Sequence, residues 1–72
     1  MENETHEVIE DGRLIATLQE TGDWDRYSSG EVIRGFRVLN PSVKTAHPEA
    51  LVVMAFSPES AARLARKLRW IS

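Results

Sequence analysis

Four cations and a tryptophan lie close together near the C-terminus, in the segment SAARLARKLRW at residues 60–70. Guanidinium and ammonium groups bind phosphates, and an indole ring stacks on bases. In a helix, spacings of three and four residues place side chains on one stripe, and here that stripe comprises Arg63, Arg66, Lys67 and Trp70. Together with Arg69, the stripe is a candidate nucleic-acid-binding surface.

Two other interpretations of this stripe stay open. Cations in the last turns of a helix interact favourably with its dipole, and Arg66 can lie over the ring of Trp70. The pattern is therefore also typical of a solvated helix face, and a protein-binding role is the third interpretation. The net charge of −2 and the isoelectric point near 5.6 are low for a nucleic-acid-binding domain. Nucleic-acid binding is therefore the alternative function and not the favoured one.

The residues that could ligate a metal ion form no known motif. His6 and His47 lie far apart in the sequence, and we predict that both are surface residues. The segment Asp23-x-Asp25 begins like a calcium loop, but Tyr27 occupies the third ligand position and the glycine required next is replaced by serine. We therefore predict neither a metal site nor a cofactor.

Catalytic patterns are also missing from the sequence. The serines and histidines follow no known order of a catalytic triad, and there is no glycine-rich phosphate-binding loop. A chain of 72 residues has little room for an enclosed pocket. We predict a protein without enzymatic activity.

The composition is that of one small globular domain. Residues 1–72 are 42% hydrophobic and 28% charged, and residues 1–5 are a candidate disordered segment. The chain has no cysteine, which favours a cytoplasmic location. The start MENETHE lacks the pattern of a signal peptide, and no apolar run approaches the roughly 20 residues that cross a bilayer. We expect no association with a membrane.

Charge is divided unevenly along the chain. Residues 1–31 contain nine acidic and two basic residues, whereas residues 32–72 contain two acidic and seven basic residues. Such a division predicts either a dipolar surface or two halves that pack against each other. We favour packing of the two halves.

A β-hairpin is predicted at the N-terminus. Asp11-Gly12 lies between two runs with apolar residues, and a type I′ turn requires positive φ at both central positions. The turn predicts three cross-strand pairs: Glu10 with Arg13, Ile9 with Leu14, and Val8 with Ile15. It thereby places Ile9, Leu14, Ala16 and Leu18 on one face of the hairpin, and Val8, Ile15 and Thr17 on the other.

The rest of the chain predicts two strands and a helix, joined by polar connections at residues 21–30 and 41–50. The strands are expected within residues 31–40 and 51–57, and the helix within residues 57–72. Ser57 suits the N-cap, Pro58 the first helical position, and Glu59 the first turn. The predicted fold class is α+β, with an antiparallel sheet of about four strands and one C-terminal helix packed on one face.

One helix covers only one face of such a sheet. It is expected to pack through a stripe comprising Ala61, Leu64, Ala65, Leu68 and Ile71. A solvated second face should be polar, yet the pattern assigns it seven apolar side chains: Val8, Ile15, Ile33, Leu39, Val52, Met54 and Phe56. Three arrangements would cover them: partial closure of the sheet, a lid of loop residues (Trp24, Tyr27 and Val43), or a binding partner.

These observations predict a small, non-enzymatic protein–protein interaction module. The partner would be another protein or a second copy of the chain. Size alone is typical of an inhibitor or adaptor among the accessory proteins of phages and mobile elements. The expected binding residues are Ile15, Trp24, Tyr27, Ile33, Val52, Met54 and Phe56. Both registers of the third strand remain open at this point.

Overall fold

The computed structural model describes residues 4–72 and has an α+β fold. Four antiparallel strands lie side by side in the order β1-β2-β3-β4, and one C-terminal helix packs against the sheet. The predicted fold class is therefore confirmed. The elements are β1 (Thr5–Glu10), β2 (Arg13–Arg26), β3 (Val32–Val38), a single 3₁₀ turn (Pro48–Ala50), β4 (Val52–Ala55) and α1 (Pro58–Lys67).

The turn between β1 and β2 has the predicted geometry. Asp11 and Gly12 have φ values of 53° and 74°, which is the left-handed conformation that a type I′ turn requires at both positions. Glu10 pairs with Arg13 as predicted, and the next pair, Ile9 with Leu14, is also confirmed.

The predicted third pair of the hairpin is wrong. Val8 pairs with Ala16, so Ile15 is an extra residue that forms a β-bulge in β2. A one-residue shift moves the following side chains to the opposite face. Val8 therefore joins Ala16 and Leu18 on the buried side of the sheet, and Ile9 and Leu14 lie on the other side. The prediction that Ile9 and Leu14 share a face with Ala16 and Leu18 is wrong.

A second irregularity lengthens β2 into the segment predicted as a loop. Pairing with β3 is interrupted at residues 21–23 and then resumes, with Glu20 opposite Phe36 and Trp24 opposite Arg34. Three residues of β2 thus stand opposite Gly35 alone. Gly22 and its polar neighbours, which predicted a loop, lie in this bulge. The prediction of a loop is therefore wrong for residues 21–26, which belong to β2.

The hydrophobic core lies between α1 and one face of the sheet. Phe36, Leu18 and Val38 are its largest fully buried side chains. The helix contributes Ala61, Ala62 and Ala65, all fully buried, and these small side chains allow the helix to lie close to the sheet. The remaining buried apolar residues are Val8, Ala16, Leu51, Val53, Ala55 and Ile71.

The predicted start of α1 is confirmed in detail. The Ser57 hydroxyl accepts a hydrogen bond from the Ser60 backbone N–H at 3.2 Å, and the Ser60 hydroxyl accepts one from the Ser57 N–H at 3.0 Å. This reciprocal pair satisfies backbone donors at the N-terminus of the helix. Pro58 follows at the first helical position, where its missing N–H costs nothing.

The helix ends earlier than predicted, at Lys67. Arg69 has a φ of 62°, and the Trp70 N–H donates to the Ala65 carbonyl at 2.9 Å. Together with the bond from the Arg69 N–H to the Arg66 carbonyl, this is a Schellman ending, in which the left-handed residue is an arginine instead of glycine.

The early helix end changes the predicted apolar stripe. Ala61, Ala65 and Ile71 are buried as expected, and Leu64 is half-buried. Leu68 is 47% exposed, so its assignment to the core is wrong. The chain leaves the helical path at this point, and Ile71 returns to the core after the left-handed turn.

Of the predicted disordered segment 1–5, residues 1–3 lie outside the described residues, and Thr5 begins β1. Within residues 4–72, no helix has the length and apolar character needed to cross a membrane.

Candidate functional site

The sheet face turned away from α1, here called the open face, carries large apolar side chains. Alternation along β4 decides which residues these are, because Val53 and Ala55 are buried against the helix. Val52 and Met54 therefore lie on the open face. The same alternation assigns to it, from the other strands and the residues next to their ends, Ile9, Leu14, Ile33, Leu39 and Phe56.

Five of the seven predicted binding residues lie together on this face. Gly35 pairs with Met54 and Arg37 with Val52, so β3 and β4 run side by side and place Ile33 close to Met54 and Phe56. The ring of Tyr27 packs edge-on against Phe56, with ring centroids 5.8 Å apart. Met54, Phe56 and Tyr27 are each at least 39% exposed. These residues, Tyr27, Ile33, Val52, Met54 and Phe56, are called the apolar patch below.

The other two predicted binding residues lie elsewhere. Ile15, the bulged residue of β2, packs against the hydrophobic core. Trp24 stands opposite Arg34 in the β2–β3 ladder and shares its face, which is the helix side of the sheet. The apolar patch therefore forms without Ile15 and Trp24.

Two apolar residues of the open face were predicted on the opposite face of the hairpin. Ile9 is 63% exposed and Leu14 is 51% exposed. The Glu10 carboxylate accepts from Arg66 on the helix side, which agrees with Ile9 facing the other way. Nothing in the sequence marks Ile15 as a bulge, because it is neither glycine nor next to one.

Among the described residues, neither closure of the sheet nor a lid of loop residues buries the apolar patch. β1 and β4 stand at opposite ends of the strand order, so the sheet does not close. Of the three candidate lid residues, Val43 packs against the core and Trp24 lies on the helix side. Tyr27 alone among these three lies on the open face, where it is itself an exposed part of the patch.

Acidic side chains lie next to the apolar patch. Asp25 stands directly opposite Ile33. Asp23 lies beside Gly35 and close to Met54, since a methyl group placed on Gly35 would stand 3.3 Å from Asp23 Cβ and 3.4 Å from Met54 Sδ. The nearest cation on this face, Arg37, donates to Gln19 Oε1 and to the Glu49 carbonyl. The rim of the patch is thus acidic beside β2.

The two edges of the sheet differ in charge. β1 carries His6, Glu7 and Glu10, whereas β4 has the sequence VVMA and no charged residue. Within the described residues, the backbone of β4 pairs with β3 on one side only. Proteins commonly protect an edge strand with charges, and β4 lacks this protection.

The basic stripe of α1 does not include its tryptophan. Arg63, Arg66, Lys67 and Arg69 are exposed. Trp70 is half-buried against the core, and its carbonyl accepts from the Ser42 N–H at 2.7 Å. Arg66 donates to Glu10 Oε1 at 3.0 Å and pairs with the hairpin. The arrangement of cations beside an exposed indole ring, expected for nucleic-acid binding, is absent from this helix.

A polar cluster lies on the helix side of the sheet, beside the ring of Phe36. The Glu20 carboxylate accepts from His6 Nε2 at 2.7 Å and from Arg34 at 3.0 Å, and the Arg34 guanidinium lies 5.3 Å from the centroid of Phe36. The His6 side chain is only 25% exposed, so its prediction as a surface residue is wrong.

The bond to His6 is the main cause that lowers the pKa of Glu20 from its ordinary value. The charge of Arg34 acts in the same direction, and partial desolvation opposes both. Glu20 and Arg34 come from opposite charge halves of the sequence, as do Glu10 and Arg66. These two ion pairs agree with the expectation that the halves pack against each other.

Comparison of the chain with protein-family models, with curated proteins and with solved structures gave no match. The candidate site therefore rests on the geometry described above.

The open face can form apolar contacts with another molecule, and carboxylates lie beside the residues that would form them. Ile33, Val52 and Met54 are held by two paired strands, and such strands position side chains more firmly than loops do. Tyr27 and Phe56 directly follow the ends of β2 and β4. The patch offers neither a nucleophile nor a histidine. The arrangement is suited to burying apolar surface of another molecule.

Proposed function

We propose that this protein is a non-enzymatic protein-binding module and that the open face is its binding surface. The observation that carries the proposal is the exposure of Met54, Phe56 and Tyr27 beside Ile33 and Val52 on a sheet face that the helix does not cover. Burial of apolar area contributes about 25 cal/mol per Å², and contiguous exposed apolar surface commonly marks an interaction site.

Charge indicates which kind of partner fits the patch. Asp23 and Asp25 lie beside it on β2. Arg37, opposite Val52, donates to two neutral oxygens, Gln19 Oε1 and the Glu49 backbone carbonyl, so the acidic part of the rim is the part beside β2. A second copy docked face to face would set two acidic rims near each other, which is unfavourable. We therefore commit to a different protein as the partner, one that presents an apolar surface with a basic rim.

The β4 edge supports the same proposal. An edge strand without charges can accept an extended segment of a partner along its free side, and the backbone of that segment then hydrogen-bonds to it. Such a segment would lie next to Met54 and Phe56 and would extend the apolar contact. Binding of this kind is compatible with an inhibitor or adaptor. A cytoplasmic location is part of the proposal, because the chain has no cysteine.

The proposal is tested with two model peptides in an NMR titration. One peptide is an amphipathic sequence of leucine and lysine, and the other replaces each lysine with glutamate. We expect the basic peptide to shift the amide signals of β3 and β4, and the acidic peptide to bind at least about tenfold more weakly. No binding of the basic peptide at millimolar concentration, or shifts confined to α1, would contradict the proposal.

Two lysine variants locate the binding surface. Met54→Lys should abolish binding of the basic peptide, because it removes apolar contact and repels the lysines, and it should leave the circular dichroism unchanged. Leu68→Lys is the matched control, because Leu68 is an exposed apolar residue (47%) at the end of the helix, and it should bind like wild type. Unfolding of the Met54→Lys variant would show that the patch is core and would count against the proposal.

The solution mass distinguishes the two kinds of partner. Light scattering across a concentration series should give a monomer. A dimer that Met54→Glu converts to monomer would identify a second copy as the occupant and would overturn the choice of a basic partner.

A further inference from the structure

Three metal-ligating side chains meet on the helix side of the sheet, away from the apolar patch. Glu4 and His6 are two residues apart, a spacing that directs both to the same face of an extended strand. The Glu20 N–H donates to the Glu4 carbonyl at 2.9 Å, which fixes the two strands side by side at this point. His6 and Glu20 therefore come from paired strands, and this hydrogen bond joins Glu4, the residue before β1, to β2.

The distances among the ligand atoms are those of a site that a small cation can bridge. His6 Nε2 lies 2.7 Å from Glu20 Oε2 and 3.8 Å from Glu4 Oε2. One ligand atom from each residue lies within 4.8 Å of the others. A zinc ion binds imidazole nitrogen and carboxylate oxygen at about 2.0–2.2 Å, so the hydrogen-bonded atoms of His6 and Glu20 must move apart as the ion displaces the proton between them. The exposed Glu4 side chain must turn toward both.

Arg34 holds the central carboxylate in position for this purpose. It donates to Glu20 Oε1 at 3.0 Å, while Glu20 Oε2 faces His6. The guanidinium is itself supported by the ring of Phe36, which is fully buried. Hydrogen-bonded neighbours of this kind orient metal-binding carboxylates.

We propose that Glu4, His6 and Glu20 form a binding site for a divalent transition-metal ion such as Zn²⁺. One imidazole and two carboxylates supply three ligands, and water would complete the coordination. The ion takes the place of the proton on His6 Nε2, so the imidazole binds in its neutral form. The site is independent of the open face, because His6 and Glu20 lie on the opposite side of the sheet.

The experiment is a calorimetric titration of the full chain with ZnCl₂ near neutral pH, with histidine NMR signals as a second readout. We expect one Zn²⁺ per chain and a shift of the His6 ring signals. His6→Gln and Glu4→Gln should each weaken binding by at least about tenfold. Glu4→Gln leaves the His6–Glu20 contact intact, and circular dichroism checks the fold of both variants.

The matched control is His47→Gln. His47 Nδ1 also lies beside a carboxylate, 3.3 Å from Glu49 Oε1, but within residues 4–72 the pair belongs to no group of three ligands. This variant should bind Zn²⁺ like wild type. The proposal is overturned if wild type binds no more tightly than His6→Gln, if His47→Gln loses as much affinity, or if the His6 signals do not respond.

Discussion

The hydroxyl oxygen of Thr21 lies directly over Gly35, in the space that a β-carbon on Gly35 would occupy. Asp23 Cβ and Met54 Sδ border the same space. This contact shows how the three-residue bulge of β2 closes on β3. Gly35 is thus required by packing on the open face, and the bulge in turn places Asp23 beside Met54.

Gly35→Ala should therefore destabilise the fold by about 1–3 kcal/mol, because the added methyl group overlaps the Thr21 side chain. Urea denaturation measures the change in unfolding free energy. Thr21→Ala removes the overlapping oxygen, so the double variant Gly35→Ala, Thr21→Ala should recover most of the loss. A single variant as stable as wild type would contradict the described contact.

The bulge at Ile15 predicts that alanine substitutions at two neighbouring residues change the unfolding free energy by different amounts. Val8→Ala removes buried volume and should cost roughly 2 kcal/mol of unfolding free energy. Ile9→Ala changes a side chain that is 63% exposed and should stay within about 0.5 kcal/mol of wild type. The same denaturation experiment measures both. A larger loss of unfolding free energy for Ile9→Ala than for Val8→Ala would contradict the bulge and favour the register predicted from the sequence.

The N-cap of α1 predicts a third change. Ser57→Ala removes the hydroxyl that accepts from the Ser60 N–H and should cost about 1 kcal/mol, within the usual range of 0.5–2 kcal/mol. The exposed Ser72 at the C-terminus provides the control, since Ser72→Ala should leave the stability unchanged. Equal stability of the two variants would show that the cap does not stabilise the helix.

The two tryptophans should respond differently to a collisional quencher. Trp24 is 63% exposed, whereas Trp70 is half-buried against the core. Acrylamide should quench the Trp70→Phe variant, which keeps Trp24, more strongly than the Trp24→Phe variant, which keeps Trp70. Similar quenching of the two variants would contradict the burial of Trp70.

The same Trp24→Phe variant tests the alternative function. Its remaining indole, Trp70, is half-buried against the core. An oligonucleotide at low salt should therefore leave its fluorescence unchanged. A change that disappears as salt is raised would favour nucleic-acid binding by Arg63, Arg66, Lys67 and Arg69.

The amino-acid sequence by itself determined the features that depend on local chemistry. Asp11-Gly12 defines the hairpin turn because few other dipeptides tolerate positive φ twice. Ser57 and Pro58 define the start of the helix, because the Ser57 hydroxyl accepts from a free N–H group and Pro58 has no N–H to satisfy. The apolar sequence of β4 also predicted that Val52, Met54 and Phe56 face away from the helix.

Only the tertiary structure decided the features that depend on partners distant in the sequence. The bulges at Ile15 and at residues 21–23 follow from how β1 and β3 pair with β2, and no residue type announces them. The contacts of Glu20 with both His6 and Arg34 need three strands in register. Trp70 leaves the basic stripe because the helix ends where the core must receive Ile71. Local preferences cannot encode such choices, because packing against the sheet supplies the larger free energy.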